Sequence, residues 1–260
     1  FSGSEPIRIA TLDAFSEHFA AAGFDRRALT PSYGLAEATL FVAAAHRAVP
    51  FGIKRFDGQQ LAAGDADEAL FAHQNATSRL PGCGWCRDDH RLRIVDAVSQ
   101  TVLPKGQVGE IWIAGPSVAE GYWQNPEATA QTFVQADGTR WLRSGDLGIA
   151  SAGELFITGR LKDLIILNGQ NLYPQDIEQS LEKRVELLRR GRIAAFPVTD
   201  EQGGEGVGLA LEISRNVRRL VKPQMICDAV RDAVSELFLV APNVIVLLEP
   251  GALPRTTSGK

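Results

Sequence analysis

Only three cysteines, Cys83, Cys86 and Cys227, occur in the 260 residues. That is too few for a disulfide scaffold and fits a cytoplasmic location. Cys83 and Cys86 form a C-x-x-C, a spacing used by redox pairs and zinc sites. No second cysteine pair or nearby histidine pair completes a metal site, and no βαβ pattern surrounds it, so the spacing reads as coincidence. No apolar run approaches the ~18 residues needed to span a bilayer. The opening Phe1-Ser2-Gly3-Ser4-Glu5 has neither a charged n-region nor an apolar h-region, so no signal peptide is expected. Basic charge is scarce as well. The formal net charge is -4, and the one basic cluster (Arg189, Arg190, Arg192) is short and flanked by Glu182 and Glu186. It reads as a solvated helix end, and no nucleic-acid partner is expected. Internal repeats and low-complexity tracts are missing too.

What remains is ordinary globular composition, 45% hydrophobic and 22% charged, enough for one large domain or two smaller ones. Leu12, Phe15 and Phe19 have helical spacing over 11–23, with Thr11 or Asp13 as cap and Gly23 as terminator. Residues 46–80 are polar and weakly periodic, and read as an insertion or extended loop with little core of its own. From 91 to 158 the texture is β, with strands at Leu92–Val95, Glu110–Ala114 and Leu155–Ile157. Short strands between Gly, Pro and Asp turns predict an antiparallel sheet or barrel. A short helix is expected from Pro126. The composition changes near Gly159–Asp163. Beyond it come a strand at Leu164–Leu167, a turn at Asn168-Gly169 and a helix entered through Pro174. Strands at Ile193–Val198 and Val207–Ile213 follow, then a helix carrying Ile226, Val230, Val234, Leu237 and Phe238, then a strand at Val244–Leu248. This describes a small α+β unit.

Four polar, glycine-rich motifs sit where elements should end. In Tyr33-Gly34-Leu35-Ala36-Glu37, the carboxylate suits a hard cation such as Mg²⁺ and the ring suits stacking on a base. Taken alone, a plain helix-starting turn with a surface Glu is the better reading. In Arg143-Ser144-Gly145-Asp146-Leu147-Gly148, a carboxylate in a glycine turn offers acceptors for a vicinal diol such as ribose, or is simply a hairpin turn. In Gly159-Arg160-Leu161-Lys162-Asp163, Arg160 is a permanent cation suited to phosphate or ribose oxygens, or a solvated linker residue. Leu253-Pro254-Arg255-Thr256-Thr257-Ser258-Gly259-Lys260 ends in a mobile point charge. It lacks the leading glycine and following Ser/Thr of a phosphate loop, and also reads as a tail.

Taken in order, Y-G-L-A-E, G-E-I-W-I-A-G-P, R-S-G-D-L-G, G-R-L-K-D and P-R-T-T-S-G-K resemble the superfamily of acyl-CoA synthetases, peptide-synthetase adenylation domains and luciferases. The resemblance runs from Gly3 to Lys260. Tyr33–Leu40, Gly115–Trp123 and Leu161–Glu178 look like the fatty acyl-AMP ligase branch, as does an insertion at 46–80. Ile166 and Asn168 stand where related CoA synthetases often carry lysines. Ala36 replaces the threonine that often precedes the motif glutamate.

The resemblance implies an α/β and α+β architecture. Residues 1–160 would end a large adenylation domain, with 1–45 closing an α/β subdomain, 46–80 the insertion and 81–160 an antiparallel, barrel-like β subdomain. Residues 161–260 would form a small mobile α+β domain. It further implies activation of a fatty acid by ATP and Mg²⁺ to acyl-adenylate, then transfer to the phosphopantetheine thiol of an acyl carrier protein. Ser4, Glu5, Tyr33, Gly34, Asp146 and Arg160 would bind nucleotide. Glu37 would bind the metal, Lys260 would be catalytic and Lys162 would be the hinge. The family's amino-terminal portion, with its phosphate loop and most of the acyl pocket, is absent, so these residues alone are expected to adenylate poorly. An acyl-CoA synthetase and a non-catalytic nucleotide-binding module are the alternatives.

Overall fold

A computed structural model describes residues 1–46, 49–57, 77–167, 170–199 and 204–254. The chain divides into two compact units, Phe1–Leu161 and Lys162–Lys260.

The first unit begins with helix α1 (Ile9–Phe19), prolonged by a 3₁₀ turn that ends at Gly23 in the left-handed region. Neither Thr11 nor Asp13 caps it. Arg8 holds the cap position and makes no side-chain cap bond. The buried face also differs from the expected one. Ile9 and Leu12 are buried, whereas Phe15 and Phe19 are 44% and 41% exposed, their rings tilted against each other at 4.7 Å. Spacing alone identifies the helix but not which neighbour covers it.

Two two-residue strands, β1 (Ser32–Tyr33) and β2 (Ala43–Ala44), pair antiparallel. Strand β3 (Ile53–Asp57) pairs with β4 (Thr77–Pro81), and β5 (Trp85–Cys86) with β2. The segment 46–80 therefore has more core than its polarity suggests. Phe51 is buried, and Phe56, 1% exposed, meets Phe156 edge-on at 5.9 Å. Its residues 47–48 and 58–76 lie outside the described residues.

The main sheet uses β6 (Arg91–Val95), β7 (Gly109–Ala114), β8 (Phe133–Ala136), β9 (Thr139–Ser151) and β10 (Glu154–Arg160). Its order is β10-β9-β7-β6, with β8 also on β9 and every pairing antiparallel. All six residues of β7 are buried, because both faces are covered. Ile111 and Ile113 join a core with Tyr33, Val42, Phe133 and Leu142. Trp112 joins Trp141 on the other face, where the Arg93 guanidinium lies 4.0 Å from the Trp141 ring. Helix α2 (Pro126–Thr132) enters as its sequence predicts, with Pro126 in the first turn and the Asn125 side chain accepting from Ala128 N–H.

The β7–β9 ladder is interrupted. Glu110 pairs with Leu147 and Trp112 with Arg143, so Ser144, Gly145 and Asp146 bulge outward opposite Ile111. Gly145 has φ +69°, which glycine adopts without steric penalty. The bulge bends β9 where Asp146 sits.

The second unit opens with the hairpin β11 (Ile165–Leu167) and β12 (Gln170–Leu172). Helix α3 (Pro174–Arg184) follows, then β13 (Leu188–Thr199) and β14 (Glu205–Ile213), paired antiparallel. Helices α4 (Arg215–Leu220) and α5 (Pro223–Phe238) lead to β15 (Val244–Leu248), which pairs parallel with β14. Ile177 and Leu181 of α3 and Ile226, Val230 and Val234 of α5 share one core with β14. On β14, Glu212 is fully buried. Its carboxylate accepts from Leu253 N–H at 2.9 Å and lies 3.7 Å from the Arg192 guanidinium. The chain is thereby pinned just before its final residues.

Candidate functional site

Tyr33 is carried by β1 at the edge of the small sheet, its ring in the core of the first unit. Gly34 follows because nothing larger fits. A Cβ there would lie 1.5 Å from the Leu40 carbonyl oxygen. The chain then makes a 3₁₀ turn at Ala36–Ala38 and returns through Thr39 and Leu40, both at positive φ. Such conformations cost of order 1–3 kcal/mol each and concentrate at functional sites. Val42 N–H closes the loop on the Tyr33 carbonyl.

The bulge delivers Asp146 to the same place, 113 residues away in sequence. The Tyr33 hydroxyl donates to Asp146 Oδ2 at 2.8 Å, and Arg160 Nε donates to Oδ1 at 3.0 Å. Arg160 is the β10 partner of Asp146, so strand register sets this ion pair. Asp146 is buried while Arg160 is exposed. Each carboxylate oxygen keeps acceptor capacity after one bond, enough for two further hydroxyl donors.

Burial raises the Asp146 carboxyl above the ordinary aspartate value of 3.8. The Tyr33 hydroxyl and the Arg160 charge oppose the rise, and the nearby Glu37 charge adds to it. The Tyr33 phenol is itself pushed well above 10.0, chiefly by burial and then by the Asp146 charge. Accepting two hydroxyl donors requires the carboxylate. Binding of any vicinal diol at Asp146 is therefore expected to weaken as pH falls, starting above the range of an ordinary aspartate. Folding responds with the opposite sign. The folded value lies above the unfolded one, so the native chain holds more protons in the window between them, and this group's contribution to stability grows as pH falls. Calorimetric titration of AMP from about pH 7 to about pH 4, on the parent protein and Asp146→Asn, checks this. The acid-sensitive part must vanish in the variant; its persistence would assign it to another group.

Glu37 sits in the turn beyond Gly34, half-buried, and its Oε1 accepts from the Tyr122 hydroxyl at 2.7 Å. A brace holds this turn. Ala119 N–H donates to the Glu37 carbonyl at 2.8 Å, the Thr39 hydroxyl to the Ser117 carbonyl at 2.7 Å, and Ser117 Oγ to the Ala38 carbonyl at 2.8 Å. His90 Nε2 is 2.6 Å from Ser117 Oγ, and His90 Nδ1 is 2.6 Å from Asp89 Oδ1. The Asp–His–Ser order is that of a hydrolytic triad. Here, however, the serine proton is engaged by the Ala38 carbonyl, so the chain of bonds fixes a turn and does not activate a nucleophile. Ser117→Ala leaves that carbonyl and the imidazole without their partner. It is expected to cost about 1–3 kcal/mol of stability. Denaturant unfolding checks this, and an unchanged midpoint would mean the brace does nothing.

The donor set fits a magnesium–nucleotide rather than a protein cage. Among the described residues, no group of three or more His, Cys, Asp or Glu could hold a metal. Glu37 offers one carboxylate beside the site, the arrangement Mg²⁺ uses when substrate phosphates and water supply its other ligands. Cys83 and Cys86 take no part. Both are free thiols, and burial, with the Glu154 charge, pushes Cys83 up to about 12.

Residues 1–123 match the AMP-binding enzyme family, and relatives align over the whole chain. The chain is 40% identical over 271 residues to the long-chain-fatty-acid–AMP ligase FadD26 of Mycobacterium marinum, covering all of this chain and 45% of that one. It is 39% identical to the 4-hydroxyphenylalkanoate adenylyltransferase of the same organism, over 271 residues, covering all of this chain and 42% of that one. Among solved structures, one from a study of fatty acyl-adenylate ligases of E. coli and L. pneumophila aligns with a TM-score of 0.84 at 33% identity. It covers 99% of this chain and 44% of that one. The chain thus spans under half the length of the curated relatives it matches.

Tyr33, Gly34, Asp146 and Arg160 converge, with Glu37 in the turn between strands. Ser4 and Glu5 are exposed. They follow Gly3, which lies against the backbone of Ser32, and Ser2 bridges to Pro31 beside β1. Lys162 is exposed in the turn Leu161–Asp163 at the unit boundary. Ile166 on β11 is 45% exposed. Asn168 and Lys260 lie outside the described residues. Sequence motifs did not single out Tyr122, Ser117 or His90. The only signal for Tyr122 is its place in G-Y-W, a motif that names no partner.

Proposed function

We propose that the full polypeptide activates a fatty acid as its acyl-adenylate. A carboxylate oxygen attacks the α-phosphorus of ATP, the bond to the bridging oxygen breaks, and pyrophosphate leaves. The acyl group then passes to the phosphopantetheine thiol of an acyl carrier protein, releasing AMP. The observation that carries this reading is the meeting of Tyr33, Asp146 and Arg160 in a chain whose residues 1–123 match the AMP-binding enzyme family.

In this reading the Tyr33 ring packs against adenine, and Ser4 and Glu5 line its edge through backbone. Asp146 accepts both ribose hydroxyls while keeping its bonds to Tyr33 and Arg160. Arg160, exposed and cationic, reaches ribose or phosphate oxygens. Glu37 holds Mg²⁺, which when bound supplies positive charge at the departing phosphates. Lys260 bridges the attacking carboxylate and the α-phosphate, and rotation about Lys162 withdraws it for the transfer step. Positioning and charge neutralisation account for most of the acceleration in such transfers. A cytoplasmic setting agrees with the free thiols.

A second acceptor, CoA, is disfavoured by the exposed apolar Ile166, which offers no charge to a phosphate-rich carrier. A second acid class comes from the near-equal identities to FadD26 and to the 4-hydroxyphenylalkanoate enzyme. One experiment separates these. The full polypeptide is incubated with ATP, Mg²⁺ and a panel of fatty and 4-hydroxyphenylalkanoic acids, with and without CoA, and products are read by mass spectrometry. Fatty acyl-adenylate accumulating despite CoA is the expected result. Efficient acyl-CoA formation would replace the proposed acceptor, and turnover of only the aromatic acids would replace the proposed substrate.

A further inference from the structure

Glu110 is a buried carboxylate, 2% exposed, that the mechanism above does not use. Four donors converge on it. Trp112 Nε1 reaches its Oε2 at 2.9 Å, and Arg143 reaches the same oxygen through Nε at 3.1 Å and Nη2 at 3.0 Å. Gly145 N–H reaches Oε1 at 3.2 Å. Two of the four donors flank the bulge and one lies inside it. Arg143 is the last residue before the ladder opens, and Gly145 immediately precedes Asp146. An outward loop in a ladder leaves backbone donors without strand partners. The Glu110 side chain replaces the missing strand acceptor at Gly145.

We infer that Glu110 is the positioning residue for Asp146: its carboxylate plugs the β9 bulge and so sets where Asp146 presents its oxygens. This inference rests on the proposed ribose role of Asp146. Glu110 touches neither Tyr33 nor Arg160, and acts only through Gly145 and Arg143. An ionised carboxylate is acceptor-only, which is what four converging donors require. An amide of the same shape has a single acceptor oxygen. Glu110→Gln therefore loses either the Gly145 contact or the Arg143 and Trp112 contacts, while filling the same space.

The test uses the full polypeptide and the ratio of kcat/KM for ATP to that for 2′-deoxy-ATP, with KM for the fatty acid and the thermal midpoint measured alongside. A hydrogen bond between a carboxylate and a ribose hydroxyl makes the parent prefer ATP by roughly 10-fold or more. Glu110→Gln is expected to lose most of that preference, with the fatty-acid KM unchanged. A merely structural role would lower the midpoint and leave the ratio alone. Asp146→Ala serves as the reference, because it removes the ribose contact itself. A parent-like ratio in folded Glu110→Gln, with the ratio lost in Asp146→Ala, overturns this inference and leaves the ribose reading standing. A parent-like ratio in Asp146→Ala overturns the ribose reading and the inference with it. Glu110→Asp keeps the charge but is shorter, and should restore part of the preference; a ratio no better than that of the glutamine variant would also count against positioning by charge.

Discussion

Asp146→Asn is expected to lower kcat/KM for ATP by about 10²–10⁴-fold. Under the proposed ribose role, two charge-assisted bonds to hydroxyls are lost, each worth about 1.5–3 kcal/mol. The loss does not end with the ligand. The Tyr33 hydroxyl and Arg160 Nε both donate to this carboxylate, and an asparagine can accept well from only one of them. The other then faces an amide N–H₂. Tyr33 is buried, with the Ser144 hydroxyl as its further partner, whereas the exposed Arg160 can turn to water. Pyrophosphate exchange over a range of ATP concentrations measures the effect. A fall of under about threefold would mean that Asp146 is a turn residue and that the ribose lies elsewhere.

Gly34→Ala should be nearly as damaging, for a purely steric reason. The new methyl would sit 1.5 Å from the Leu40 carbonyl oxygen and 2.6 Å from its carbon. Both are backbone atoms, so no side chain can rotate away. The loop also has little room to adjust. Thr39 and Leu40 already occupy left-handed backbone, and Leu40 N–H is bonded to the Leu35 carbonyl. Relief requires a backbone shift of over an ångström between Tyr33 and Glu37, two residues of the site. Overpacking of this kind costs about 3 kcal/mol, or a thermal midpoint lowered by about 6–12 °C in a unit of this size. Misplacement on that scale is expected to cost about 10²-fold in activity. A variant that melts like the parent and exchanges pyrophosphate normally would show that the loop repacks freely.

Local chemistry made much of this legible. Alternation and turn residues located β6, β7, β10 and, in the second unit, β11, β13, β14 and β15 but not β12, and Pro126 located a helix start. Glycines and carboxylates in tight turns marked Tyr33-Gly34, Glu37 and Asp146. The remainder depends on pairings that no local pattern carries. Phe15 and Phe19 have core spacing, yet only Ile9 and Leu12 of α1 are buried, because coverage belongs to the neighbour and not to the helix. The bulge at Ser144–Asp146 exists only relative to β7, so the R-S-G-D-L-G run alone could not separate it from a hairpin turn. Tyr122 and Ser117 reach the Glu37 turn across 85 and 79 residues. Hydroxyls in the sequence give no hint of such partners. The polar segment 46–80 misled in the other direction, since two phenylalanines suffice to anchor its first end.

The bond from Leu253 N–H to Glu212 fixes a leash length. From that pinned point to Lys260 there are seven residues, which at full extension span at most about 25 Å. Whatever path they take, the lysine is confined to a sphere of about that radius centred on Leu253, bonded to the central strand of the second unit's sheet. One ammonium in such a volume corresponds to an effective concentration on the order of 10 mM. In the proposed function, Lys260 would then need no strong contact of its own with the reacting acyl phosphate, because the anchor at Leu253 would already supply millimolar proximity.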